Sequence, residues 1–134
     1  RNGSALERFR ILLEAQGAEL GCIESPEKEL PLSPERAVIR SKSRGKIASF
    51  ETNKVGTALR HLGGGRQRKE DAIDHGVAIE VMAKIGDAIA PGDPVFTLYH
   101  RNGPGTGIAL SLLEEAYSVS LEARKGPIVI EVVE

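Results

Sequence analysis

Apolar and polar residues alternate most cleanly between Val77 and Ile85. Val77, Ile79, Val81, Ala83 and Ile85 share one face, with Glu80 and Lys84 on the other. A period of two in a β-branched run predicts a half-buried strand. Gly86-Asp87 and Pro91-Gly92-Asp93-Pro94 bracket Ala88-Ile89-Ala90. Glycine supplies positive φ, and proline presets φ while withholding a donor, so both ends of this unit are expected to be turns. Val95, Thr97 and Tyr99 then alternate with Phe96 and Leu98 as a return strand. Val77–Tyr99 thus reads as a bent β-hairpin with a short insert at its tip. The stretch Leu62–Pro94 organises the chain, and the rest reads as packing for it.

Helical spacing appears in three other places. Leu6, Phe9 and Leu13 form a stripe beside Leu12, and Ser4 with Glu7 has the spacing of a capping box. With Gly17 placed for a left-handed C-terminal cap, a helix is expected over 5–16. Asn53 is positioned to cap a second helix carrying Val55, Ala58, Leu59 and Leu62, which the run Gly63-Gly64-Gly65 stops. Thr106 is placed to cap a third, with Ile108, Leu112, Leu113, Ala116 and Tyr117 as its apolar face. Between these, 18–34 has no period and several prolines, so an extended connection is expected there. Short strands are expected over 37–42 and 46–51, around Ser43-Arg44-Gly45. Two more fall over 119–121 and 128–133, separated by a charged turn ending in Gly126-Pro127.

Composition narrows this picture. A chain of 134 residues suits one domain. A formal net charge of -1 and a pI near 6.4 give no global field toward nucleic acid or membrane. Aromatic residues are 4% and Trp is absent, so the core must be aliphatic. No apolar run approaches the roughly 20 residues that span a bilayer, and no signal peptide is visible. The single cysteine, Cys22, can form no intrachain disulfide, which fits a reducing cytoplasm. Because the chain opens at Arg1, without Met and almost inside a capped helix, it is expected to be a piece of a longer protein.

The residues offer little catalytic chemistry. Gly103-Pro104-Gly105-Thr106-Gly107 precedes a helix as a phosphate cradle would, but Ile108 and Ala109 replace the Gly-Lys-Ser/Thr of a P-loop, which favours a plain loop. Gly63–Gly65 with Arg66 could present amides and a guanidinium to an anion; these glycines follow a helix rather than open one, which favours a helix stop. His61, His75, His100 and Cys22 are too scattered for a metal signature, and no metal site is expected. Glu70, Asp71 and Asp74 cluster beside lysine and arginine, a pattern that suits an ion-paired loop better than a catalytic dyad. Arg40, Lys42, Arg44 and Lys46 would share a face if their strand were continuous, a stripe able to hold phosphate or nucleic acid. A solvated edge broken at Gly45 fits the near-neutral balance better. Ser41 and Ser43 flank Lys42 without a nucleophile elbow. By residue chemistry alone this is a non-catalytic α+β domain.

Two resemblances add to that reading. Lys84–Val95 (KIGDAIAPGDPV) is similar to the Gly-Asp hairpin of biotinyl and lipoyl carrier domains. Those domains display a modifiable lysine soon afterwards, whereas Thr97–Asn102 (TLYHRN) holds none. Carrier or ligand-binding function is therefore the alternative reading, and the hairpin resemblance implies a barrel-sandwich architecture.

The second resemblance is longer and in order. Ala5–Gly17 (ALERFRILLEAQG) resembles the helix of thymidine and pyrimidine nucleoside phosphorylases that ends in Gln-Gly. Asn53–Arg66 (NKVGTALRHLGGGR) is similar to their helix followed by Leu-Gly-Gly-Gly-Arg. Lys69–Val77 (KEDAIDHGV) resembles their Lys-Glu-Asp-x-Ile-Asp-x-x-Val segment, with the Gly-Asp hairpin next and a terminal helix carrying Glu114-Glu115-Ala116-Tyr117.

The resemblance implies a C-terminal portion of a pyrimidine nucleoside phosphorylase, which cleaves a nucleoside with phosphate to a free base and a pentose 1-phosphate. It implies an α+β fold in which a small β-rich, barrel-sandwich-like unit is flanked by three helices, the whole being part of a larger α/β domain. Residues 1–36 would be a helix and linker from that parent domain, and 37–134 the C-terminal domain. The phosphate loop and the residues that hold the pyrimidine lie upstream in the family, so no catalytic residue is assigned here. The loop matching Gly63–Asp71 lies toward the active-site side in the family, which makes Gly64, Gly65 and Arg66 candidate neighbours of the site. Phosphate is a co-substrate, with no cofactor expected. The remainder of the parent is the expected partner, within a cytoplasmic homodimer that engages neither nucleic acid nor membrane.

Overall fold

In a computed structural model the described residues are 2–30, 32–123 and 126–127. They group into two compact units, 1–32 and 33–134.

The first unit holds three helices: α1 (Ser4–Ala15), α2 (Gly21–Glu24) and α3 (Pro26–Glu29). The expected extended connection over 18–34 is corrected, since α2 and α3 lie within it. Pro26 opens α3, where its missing N–H costs nothing and its fixed φ suits a first helical turn. The capping box is also corrected. Ser4 lies inside α1, and its amide and hydroxyl both donate to Asn2 Oδ1, at 3.2 and 2.8 Å. Asn2 therefore takes the part expected of Ser4. At the other end Gly17 adopts φ +75°, with Gly17 N donating to Glu14 O and Ala18 N to Leu13 O. This pair of bonds is a Schellman cap. None of the three helices has a buried residue.

The second unit is α+β. Strands β1 (Glu35–Arg40), β2 (Gly45–Phe50), β3 (Ala78–Val81), β4 (Ala88–Ile89), β5 (Pro94–His100) and β6 (Tyr117–Ser120) form two antiparallel three-stranded sheets, ordered β1-β5-β3 and β4-β2-β6. Helices α4 (Thr52–Leu62) and α5 (Thr106–Glu114) complete it. Helical segments thus number five among the described residues, rather than three. The strand expected over 128–133 lies outside the described residues.

The hairpin is present, with Ala78 opposite Tyr99 and Val81 opposite Phe96. Its first strand is shorter than the alternation suggests. After Met82 N donates to Val95 O, the chain leaves that sheet, and Gly86 N donates to Ile47 O of β2. The alternating run is therefore a strand only over Ala78–Val81, and residues 82–87 connect it to β4 in the other sheet. Ala83 is buried, while Val81 and Ile85 are 47% and 42% exposed. Two turns carry the crossing: Asp87 accepts from Lys84 N at 2.9 Å, and Asp93 from Ala90 N at 2.8 Å.

β5 is central, and Val95, Phe96, Thr97 and Leu98 are all fully buried. Phe96 joins the two sheets. Its ring meets Phe50 of β2 edge-on at 5.6 Å and Tyr117 of β6 at 6.2 Å. Ala58 of α4 and Ala109, Leu113 and the adjoining Ala116 of α5 close a core that is aliphatic around Phe96, a correction to the wholly aliphatic core expected from composition. The expected α5 face is shifted, since Ile108 is exposed and Ala109 buried. Neither Asn53 nor Thr106 is a cap; each lies within its helix, behind Glu51 and Gly105. Backbone closure drives this at α4, where Glu51 N is already bound to Ala116 O at 2.8 Å.

Candidate functional site

The end of α4 is set by Gly63, which sits at φ +99°. Gly63 N donates to Arg60 O and Gly64 N to Leu59 O, a second Schellman cap. A Cβ on Gly64 would lie 2.7 Å from Leu59 Cδ1 and 3.0 Å from Val77 Cγ2, so the turn packs tightly onto α4 and the entry to β3. The amides of Gly63 and Gly64 are thus spent on the helix end and do not face an anion. Arg66 is exposed at the start of the loop that follows.

Two carboxylates shape this loop. Asp71 Oδ2 accepts from Gln67 N at 2.9 Å and Arg68 N at 2.7 Å, tightening the tip. Asp74 closes the base, its N–H donating to Gly63 O at 2.9 Å. Its carboxylate accepts from Gly76 N at 2.9 Å and from both Nε and Nη2 of Arg101. The Arg101 hydrogen bond, with the Gly76 amide second, holds the Asp74 carboxyl below the ordinary aspartate range. Ser33 N donates to Gly76 O at 2.7 Å, while the buried Ser33 hydroxyl has no protein partner.

Arg101 starts a second loop. Asn102, at φ +54°, donates its N–H to Nδ1 of the buried His100 at 3.2 Å. Gly105 then touches the end of α4, where a Cβ would collide with His61 O. Two loops distant in sequence therefore meet at one end of the second unit.

The acidic cluster separates accordingly. Glu70 is exposed, Asp71 holds backbone amides, and Asp74 pairs with a remote arginine rather than a neighbouring one. The Asp74–Arg101 pair went unseen in the sequence. Its signal was the hairpin itself: extending the Ala78–Tyr99 register by two places puts Gly76 opposite Arg101. Residues 103–105 form a turn leading into α5, with Thr106 N donating to Gly103 O at 3.0 Å. Among the described residues no group of three His, Cys, Asp or Glu side chains could hold a metal.

The basic stripe is not continuous, because Arg40 belongs to β1 and Lys46 to β2, in different sheets. Arg40 Nη1 donates to Gly92 O, and Lys42 Nζ reaches Glu114 at 2.9 Å. Hydrogen bonding to Glu114 raises the Lys42 pKa. Of the stretch 97–102, where a carrier lysine would be expected, 97–100 lie within β5, and Arg101 and Asn102 lie on the loop after it. An open apolar groove of ≈ 630 Å³ runs along Phe50, Val81, Ala83 and Ile85, with Lys84 at its side.

A family model described as the pyrimidine nucleoside phosphorylase C-terminal domain matches residues 46–120, more than half of the chain. The pyrimidine-nucleoside phosphorylase of Staphylococcus haemolyticus is 34% identical over 122 residues, covering 91% of this chain and 28% of that protein. That of Bacillus subtilis is 36% identical over 99 residues, 74% of this chain and 23% of that protein. The thymidine phosphorylase of Mycobacterium tuberculosis is 30% identical over 119 residues, with coverages of 89% and 26%. The chain spans about a quarter of the length of these curated relatives. It belongs to the pyrimidine nucleoside phosphorylase family, with that family's C-terminal domain over 46–120.

Proposed function

We propose that the protein to which this domain belongs is a pentosyltransferase that cleaves a pyrimidine nucleoside with phosphate, giving a free base and a pentose 1-phosphate. The observation that carries the reading is the family match over 46–120, joined to relatives bearing phosphorylase names. This domain supplies no catalytic residue. Its loop Gly63–Asp71 faces the active site, with Arg66 the nearest cation. Phosphate is a co-substrate and no cofactor takes part.

In this reading 1–36, which holds α1, α2, α3 and the start of β1, is continuous with a larger α/β domain, and 37–134 is an appended β module of barrel-sandwich kinship. Phosphorolysis through an oxocarbenium-like transition state requires water exclusion, which domain closure provides. The module stiffens the unit that moves. The parent is a cytoplasmic homodimer without nucleic-acid or membrane partners. The alternative carrier reading lacks a lysine over Thr97–Asn102.

Release of free base from thymidine or uridine with phosphate tests the proposal. The 134 residues alone are expected to release none, and the longer protein to release base only in phosphate. Removing the segment equivalent to 37–134 is expected to abolish turnover or folding. Turnover by the isolated chain, or unchanged kinetics after the deletion, would overturn it.

A further inference from the structure

The loop from Gly63 to Asp74 is held almost wholly by polar ties. Arg66, Gln67, Arg68, Lys69 and Glu70 are all exposed, so hydrophobic burial contributes little to its placement. Inside the loop the Asp71 carboxylate braces Gln67 and Arg68. At its base stand the Asp74 N–Gly63 O bond and the forked pair with Arg101.

The two sides of that pair differ in rigidity. Arg101 follows directly on β5, whose last residue, His100, is buried and accepts the Asn102 amide. Asp74 sits half-buried at the base of the loop, whose tip, 66–70, is exposed. A segment with few apolar contacts opens at low free-energy cost, whereas a buried central strand opens only with the whole fold. If the pair breaks, the loop moves and β5 stays.

We propose that Asp74 and Arg101 form a clasp that pins the base of the basic loop to the end of β5, and that its release lets the segment carrying the exposed Arg66, Arg68 and Lys69 move as one. The pair positions these cations and is not itself catalytic. The inference rests on the fold alone and holds whether or not the proposed reaction is correct. A fork of two bonds onto a carboxylate gives both strength and direction, which a lysine in place of Arg101 would not reproduce.

Limited trypsin digestion of the full 134-residue chain, read by mass spectrometry, tests this, because the loop carries its own cleavage points at Arg66, Arg68 and Lys69. Hydrogen exchange at Gln67 and Arg68 is measured beside that of Phe96–Leu98. Asp74→Asn keeps an acceptor for Gly76 N but loses the charge. It is expected to speed loop cleavage about tenfold or more, with β5 exchange unchanged. Arg101→Lys is expected to give an intermediate rate and guards against loss of folding in the first variant. Wild-type cleavage rates in both variants would overturn the clasp. So would β5 exchange rising in step with loop exchange, since the pair would then support the whole fold and not the loop.

Discussion

Single atoms decide several features of this domain. Thr97 Oγ1 is fully buried in β5 and has no hydrogen-bond partner. An unsatisfied hydroxyl carries its desolvation cost, and an isosteric methyl does not. Thr97→Val is therefore expected to leave stability unchanged or to raise it by up to about 1 kcal/mol in urea unfolding; a clear loss would mean that the hydroxyl has a partner in solution. Asp74 works in the other direction. Its folded carboxyl is held below the ordinary range, first by the Arg101 hydrogen bond. Its contribution to stability is thus present above the unfolded value, about 3.9, and is lost as pH falls through the lower folded value. The stability difference between the wild type and Asp74→Asn is expected to narrow on acidification, and a difference constant with pH would contradict this. The sequence drew attention to Asp74 only as one of three clustered acids, because its partner is 27 positions away.

At the scale of elements, glycine placement ends helices where the pattern says it should. Gly17 and Gly63 both take positive φ and both complete Schellman caps. The helix starts were less legible. Ser4, Asn53 and Thr106 all have capping side chains, yet each falls inside its helix. At α4 and α5 no side chain caps the first turn, so the presence of a capping residue type did not mark where those helices begin. Gly105 had a different reason to be glycine than the phosphate cradle weighed against it. Its hydrogen faces His61 O at the end of α4, where no side chain fits. Gly105→Ala is expected to cost about 3 kcal/mol by forcing α4 and α5 apart. Gly103→Ala, whose Cβ would meet open space, serves as the control; equal thermal stability of the two variants would refute the contact.

For the molecule as a whole, the two units differ in what they bury. Phe96 ties both sheets of the second unit, and Phe96→Ala is expected to cost about 3–5 kcal/mol. In the first unit Leu6, Phe9 and Leu12 remain about half exposed, and α1 buries no residue. Amides of α1 are accordingly expected to exchange faster than those of β5, a ranking that native-state hydrogen exchange reads directly. The elements themselves were largely written in local spacing: α1, α4, α5 and the Ala78–Tyr99 hairpin follow from periods of 3.6 and 2, and from where glycine and proline interrupt them. Family membership was equally a matter of ordered motifs. Local spacing could not say that the alternating run would leave its sheet after Val81, or that Ala83 would be buried while Val81 and Ile85 are not. Nor could it bring Arg101 to Asp74. Both depend on strand order and register, which are settled only when distant segments compete to bury the same apolar surface.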